Sequence, residues 1–240
     1  MQYLLGECLY NQKKYNEAVR EYKRIVFFNP TDSIAEKASF KIADCFFELK
    51  QYKDSSEYYI DFIKKYPKSL VLADAYFWLA ESYFNLNQTE DALKYYENAI
   101  AFGSKFSDYS YYSKAWCLIK LNNLSDAIDT LRYLIKNDNV ETDSNLSLRL
   151  KIQSLLEKSI YHLATGKNKN KEYQVSIDLL LQLFQDFPTT KFKDYALYLL
   201  AHNYYAIANF DNAKQRFLQF TRELPENELT DDSFYWVGWC

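Results

Sequence analysis

Glycine and proline are scarce in this chain, with four of each in 240 residues. Ordinary usage, about 7% and about 5%, would supply far more. All-β sandwiches and barrels need a turn bearing Gly or Pro every ~8–12 residues, so they are excluded. A doubly wound nucleotide-binding fold is disfavoured for the same reason, because its phosphate loop needs clustered glycines. Charge of one sign is also lacking: 29 basic against 32 acidic residues leave a net charge of −3, without the basic face that nucleic acid requires. No apolar run approaches the ~18 residues that cross a bilayer, and residues 1–7 carry no basic n-region of a secretory signal. Membrane association is therefore expected only through regions outside this chain or through partners. What the chain does have is aromatic rings, 23 tyrosines and 17 phenylalanines, which excludes disorder. The class left is all-α, with very short connections.

Where turns are this rare, self-similarity is the first thing to seek. Pro30 and Pro67 lie 37 residues apart, as do Pro188 and Pro225. Gly6, Ala43 and Ala80 keep the same spacing, and so do Ala201 and Gly238. Each small residue sits in a similar phrase, such as Tyr3-Leu4-Leu5-Gly6, Phe77-Trp78-Leu79-Ala80 and Tyr198-Leu199-Leu200-Ala201. A second phrase follows, with Ala18, Ala92, Ala127 or Ala213 opening an apolar stripe at helical spacing (Ala18, Tyr22, Ile25; Ala92, Tyr96, Ala99). The unit is a helix, a short turn and a second helix that stops near a proline, which lacks the amide donor and clashes inside a helix. Small residues are needed where paired helices cross closely. Asn16, Ser125 and Asp211 are placed to cap the second helices. Six units fit at 1–35, 36–72, 73–107, 108–143, 144–193 and 194–230, with a partial seventh at 231–240. The unit at 144–193 is degenerate. Its first helix (Ile152, Leu155, Leu156, Ile160, Leu163) lacks the small-residue phrase, and the extra length predicts an elongated first helix and an inserted loop at residues 165–171.

These phrases resemble the tetratricopeptide repeat. The resemblance implies a right-handed α-solenoid of helix-turn-helix units, here a single solenoid over 1–240 and expected to be an excerpt of a longer chain. The 37-residue period, with three extra residues after each proline, is similar to the bacterial envelope branch, the YbgF/CpoB-like and BamD-like repeats. It implies a periplasmic or envelope-associated protein.

The four cysteines make one point together. Cys8, Cys45, Cys117 and Cys240 all stand two residues after the small position, where Ser82 and Asn203 stand in other units. Successive solenoid layers lie about a helix diameter (~10 Å) apart, beyond the ~7 Å Cα limit for a disulfide. Four free, packed thiols are expected, and no metal or cofactor site. His162 and His202 have no ligand cluster around them, and no nucleophile–base arrangement is arguable, so no catalytic residue is assigned.

The resemblance also places the first helices along a concave groove. Three residues before the small position stand Tyr3, Phe40, Phe77, Tyr112, Tyr198 and Tyr235; one after it stand Glu7, Asp44, Glu81, Trp116, His202 and Trp239; four after it stand Tyr10, Phe47, Phe84, Ile119 and Tyr205. Offsets of three and four share a helical face. The first set has two readings, groove lining or wedges packed between neighbouring helices. Glu7, Asp44 and Glu81 suggest a partner segment with Lys or Arg. The expected function is a non-catalytic scaffold binding a protein or peptide partner, not nucleic acid. Its setting would be an envelope assembly (outer-membrane assembly, Tol–Pal-linked division or a flagellar-motor collar). The alternative is the repeat arm of a larger envelope enzyme whose catalytic domain lies elsewhere. Self-association through residues 234–239 is a third expectation.

Overall fold

The computed structural model describes residues 1–137 and 143–240. Among them are thirteen α-helices and no strand, an all-α solenoid of helical repeats. The chain falls into two compact units, Met1–Asn123 and Leu124–Cys240. The first holds α1 (Gln2–Asn11), α2 (Tyr15–Phe28), α3 (Ser33–Glu48), α4 (Tyr52–Lys65), α5 (Leu72–Asn85), α6 (Thr89–Ala101) and α7 (Ser107–Lys120). The second holds α8 (Leu124–Asn137), α9 (Asp143–Lys169), α10 (Tyr173–Asp186), α11 (Lys193–Ala206), α12 (Phe210–Glu223) and α13 (Thr230–Trp239). Within each unit every helix packs on its sequence neighbour, and the first helices of successive repeats also touch: α1 on α3, α3 on α5, α9 on α11.

The turn inside each repeat explains how a chain so poor in glycine is built. It is three residues long every time, and its central residue takes a left-handed conformation: Lys13, Lys50, Asn87, Asn122, Lys171 and Ala208, all with φ between 58° and 64°. The backbone closes it in the same way throughout, as in Lys13 N–H to Tyr10 C=O at 2.8 Å and Lys14 N–H to Leu9 C=O at 2.9 Å. These are the paired bonds of a Schellman ending, which satisfies the last carbonyls of the first helix. The second helix then starts from Lys14, Gln51, Gln88, Glu172 or Asn209. Asn16 and Asp211 therefore lie inside α2 and α12, and Ser125 inside α8, rather than capping them. Each proline stands two residues beyond a helix: α2 ends at Phe28, α4 at Lys65, α10 at Asp186 and α12 at Glu223. The linkers between repeats, including the proline-free one after α6, are pinned by short side chains accepting an amide two residues on: Asp32 from Ile34, Ser69 from Val71, Ser104 from Phe106, Thr190 from Phe192 and Asn227 from Leu229. This local bonding competes with helix and favours turns.

The degenerate unit has the elongated first helix but not the inserted loop. α9 runs on through residues 165–169, and 170–172 form the same three-residue turn as in the other repeats. The missing small position is Ala164, fully buried. Ser176 Oγ donates to its carbonyl at 2.8 Å, as Ser55 Oγ does to Ala43 at 3.2 Å. Ala164 stands 37 residues before Ala201, so the phrase is Tyr161-His162-Leu163-Ala164. The extra length belongs to the N-terminal part of a 27-residue helix, against 14 residues in α11.

The small position meets close neighbours where a second helix covers it. A Cβ on Gly6 would stand 2.5 Å from Tyr22 Cε1, whereas one on Gly238 would meet nothing within 4 Å. The site two residues later faces the second helix of the preceding repeat, and its occupant is matched to that helix. Cys45 packs with Ala18, Cys117 with Ala92 and Cys240 with Ala213. The polar occupants meet serine: Ser82 Oγ donates to Ser55 Oγ at 3.1 Å, and Asn203 Nδ2 to Ser176 Oγ at 2.8 Å.

The same geometry corrects the expectation of four packed thiols. Cys45 and Cys117 are fully buried, and burial pushes both up to about 12. Cys8 is exposed, since no helix of the chain covers that side of α1. The thiolate is the reactive form. Timed labelling with a thiol reagent, read by peptide mass spectrometry, should modify Cys8 rapidly and leave Cys45 and Cys117 unmodified until denaturant is added.

Candidate functional site: the first-helix faces

In the N-terminal unit the aromatic residues three before the small position are wedges. Phe77 is buried, its ring 4.7 Å from Phe106 and 5.1 Å from Trp78. Phe40 lies between Tyr59 and Phe62, 5.6 and 5.4 Å away, and Tyr3 stands 5.7 Å from Tyr22. Tyr112 is half-buried and meets the Trp116 ring edge-on at 6.5 Å. Packing between helices uses most of this set, the second of the two readings the sequence left open.

The three acids are already anchored from within the chain. Each accepts a hydrogen bond from a buried tyrosine fifteen residues later on the second helix of its own repeat. Tyr22 donates to Glu7, Tyr59 to Asp44 at 2.5 Å and Tyr96 to Glu81 at 2.6 Å. The three phenols are fully buried, and burial with the adjacent carboxylates pushes their pKa well above the ordinary value. Burial also raises Asp44 to about 6, although the Tyr59 hydroxyl and the Lys41 ammonium both pull it down. Glu81 is raised by burial too, opposed by Tyr96 and Ser113. In the register of the later repeats the tyrosine is Leu131 or Phe217, without a hydroxyl, and the acid is Trp116 or His202. The pair changes together, and fifteen-residue spacing was the signal that could have revealed it.

The residues four after the small position form the open ridge. Tyr10, Phe47 and Phe84 are half-buried on α1, α3 and α5. Tyr10 packs on Tyr15 at 5.3 Å, Phe47 on Tyr52 at 5.4 Å and on Trp78 at 5.0 Å. The Lys120 ammonium lies 4.2 Å from the centre of the Phe84 ring. Between α1, α3, α4 and α5 this ridge encloses a cavity of about 60 Å³, lined by Tyr10, Asp44, Phe47, Glu48, Tyr59 and Trp78. Trp78 and Glu48 were not among the sequence-derived candidates. Trp78 stands beside Phe77 in the repeat phrase, but only the fold turns its ring towards Phe47.

In the C-terminal unit His202 sits among rings: Tyr198 at 4.4 Å, Trp236 at 4.7 Å and Phe217 at 5.0 Å. Its Nε2 is buried without a hydrogen-bond partner, and burial lowers its basicity against the opposing pull of Asp232. The Tyr198 hydroxyl and Trp236 Nε1 both donate to Asp232. Tyr205 packs on Phe210 and Trp236, 5.2 and 5.0 Å away. Tyr235 and Trp239 are exposed, at 59% and 61%. Among the described residues no three His, Cys, Asp or Glu side chains converge as metal ligands would.

Residues 1–26 and 37–69 match the tetratricopeptide repeat family model. The fold is that of tetratricopeptide repeats. Residues 69–134 match a second model, described as anaphase-promoting complex, cyclosome, subunit 3. Among solved structures the array is similar to a tetratricopeptide repeat protein from Parabacteroides merdae ATCC 43184, at 13% identity and TM-score 0.54, covering 98% of this chain and 97% of that one. It is similar to the nearly identical TPR-like repeats of a kinesin-light-chain-type protein from Podosopora anserina, at 16% identity and TM-score 0.54, covering 78% and 92%. MamA from Desulfovibrio magneticus RS-1 aligns at 17% identity and TM-score 0.51, covering 59% and 76%. At such identities the likeness concerns the tetratricopeptide fold alone. No curated protein matches the chain.

Proposed function

We propose that this chain is a non-catalytic scaffold that binds a partner peptide, helix or subunit along the first-helix face of its N-terminal unit. The observation that carries the reading is the division of labour on that face. Phe40 and Phe77 serve packing, whereas Tyr10, Phe47 and Trp78 stay half-open beside an unfilled cavity. Exposed Trp and Tyr side chains around a pocket are the usual anchors of protein interfaces. The tetratricopeptide fold supports the reading. The 37-residue period and the post-proline linkers support a setting in a bacterial envelope assembly, which cell fractionation of the native protein tests. For the binding face, a partner trapped by in-cell crosslinking should bind the Phe47→Ala variant at least about tenfold more weakly, about 1.4 kcal/mol. The helical circular-dichroism signal should be unchanged. Equal affinity for parent and variant would remove this face from the account.

A further inference from the structure

The cavity on the N-terminal face has the chemistry of a seat for one organic cation. Its sides are rings, Tyr10 from α1, Phe47 from α3 and Trp78 from α5, and aromatic faces attract ammonium and guanidinium groups. Its polar lining comes from Tyr59, Asp44 and Glu48. The room, about 60 Å³, suits the head of a side chain rather than a whole residue.

The chain itself shows what this surface attracts. The Lys41 ammonium lies 4.5 Å from the centre of the Tyr10 ring, 3.7 Å from Asp44 Oδ2 and 3.9 Å from Glu7 Oε1. Both carboxylate separations exceed the ~2.7–2.9 Å of a charge-assisted hydrogen bond. Lys41 therefore hovers at the edge without closing on either acid. Glu48 Oε2 accepts only one long bond, 3.3 Å from the Tyr15 hydroxyl. Glu7 and Asp44 share this single ammonium and Glu48 lines the same cavity, which leaves the site with excess negative charge. An apolar anchor would leave Asp44 and Glu48 against hydrocarbon, at a cost in desolvation. An acidic one would be repelled.

We propose that this cavity receives the side-chain cation of a lysine or arginine in a partner segment lying across α1, α3 and α5, its charge on Asp44 and Glu48 and its stem against Phe47 and Trp78. The inference rests on the scaffold reading above and names the chemistry of its partner.

Peptide display against the intact protein tests it, with the enriched peptides remade by synthesis and measured by fluorescence anisotropy. The expected result is enrichment of sequences holding a Lys or Arg. Replacing that residue by norleucine should weaken binding by about tenfold, and Glu48→Gln by several-fold. Both losses should shrink in high salt, which screens an exposed carboxylate. Glu48 is exposed on α3, so its substitution leaves the fold intact. Enriched peptides that tolerate norleucine and bind Glu48→Gln as well as the parent, yet lose affinity for Phe47→Ala, would overturn the cation seat and leave the scaffold reading standing. Peptides indifferent to all three changes, or no enrichment, would overturn both.

Discussion

Tyr59→Ala is expected to destabilise the N-terminal unit by about 3–5 kcal/mol, the range for truncating a large buried aromatic residue. The Tyr59 ring is fully buried against Ala43, Ala75 and Leu79 and so ties α4 to both α3 and α5. Tyr59→Phe separates the two parts of this loss. It keeps the ring and removes the hydroxyl, leaving Asp44 without its phenol donor, and should cost about 1–3 kcal/mol. Adding Asp44→His to Tyr59→Phe copies the His202 and Phe217 pair of the sixth repeat, and should recover part of that loss. Urea midpoints of the intact chain measure all three. A Tyr59→Phe midpoint equal to the parent's would mean that the phenol–carboxylate pair holds nothing. Burial of Asp44, which the Tyr59 hydroxyl only partly offsets, sets a pH dependence. Asp44 is raised in the folded state, from an ordinary value of 3.8 to about 6, so folding takes up a proton between those values. The stability this contributes is present at the acid end and lost as pH rises through about 6. The groups facing Asp44 are Tyr3 and Tyr10 from α1, Lys41, Cys45 and Glu48 from α3, and Tyr59 from α4, and Glu7 of α1 meets the same Lys41 ammonium. The neutral Asp44→Asn variant should therefore gain on the parent as pH goes from 4 to 7.

Asn203→Leu should destabilise the C-terminal unit by about 3 kcal/mol, from overpacking and lost buried hydrogen bonds together. Asn203 is fully buried and central to a short polar chain. Asn168 Nδ2 donates to its Oδ1 at 2.6 Å, its own Nδ2 donates to Ser176 Oγ at 2.8 Å, and Ser176 donates onward to the Ala164 carbonyl at 2.8 Å. Leucine would break the first two bonds and place a branched side chain where other repeats keep cysteine or serine. The repeats themselves supply the control. Ser176→Ala with Asn203→Cys rebuilds the alanine–cysteine pairing of Ala18 with Cys45 and Ala92 with Cys117. That double variant should cost clearly less than Asn203→Leu alone. Thermal unfolding followed at Trp236 and Trp239, both within this unit, reads the difference. If Asn203→Leu unfolds with the parent, the polar chain contributes no specificity to this layer.

Both variants turn on pairings that spacing alone left unread. The 37-residue interval exposed the repeat, the small crossing positions and the proline stops, because these are local requirements that recur at fixed distance along one chain. It also put Cys45, Ser82, Cys117 and Asn203 at one equivalent site. It could not say which helix that site faces, and so the exposure of Cys8 was missed. Residues 165–171 read as a loop because Gly, Asn and Lys are weak in apolar signal. In the structure the packing of Ala164 beneath Ser176 carries α9 through them to Lys169.

The sequence by itself determined the all-α class, the repeat and the first-helix positions from which binding residues are drawn. Helical period and steric need for small residues are properties of each segment alone. Only the tertiary structure decided which rings are wedges and which line the cavity, that Glu7, Asp44 and Glu81 answer buried tyrosines, and that Trp78 and Glu48 complete a pocket with Tyr10. Those outcomes depend on which neighbouring helix comes within a few ångströms of each side chain.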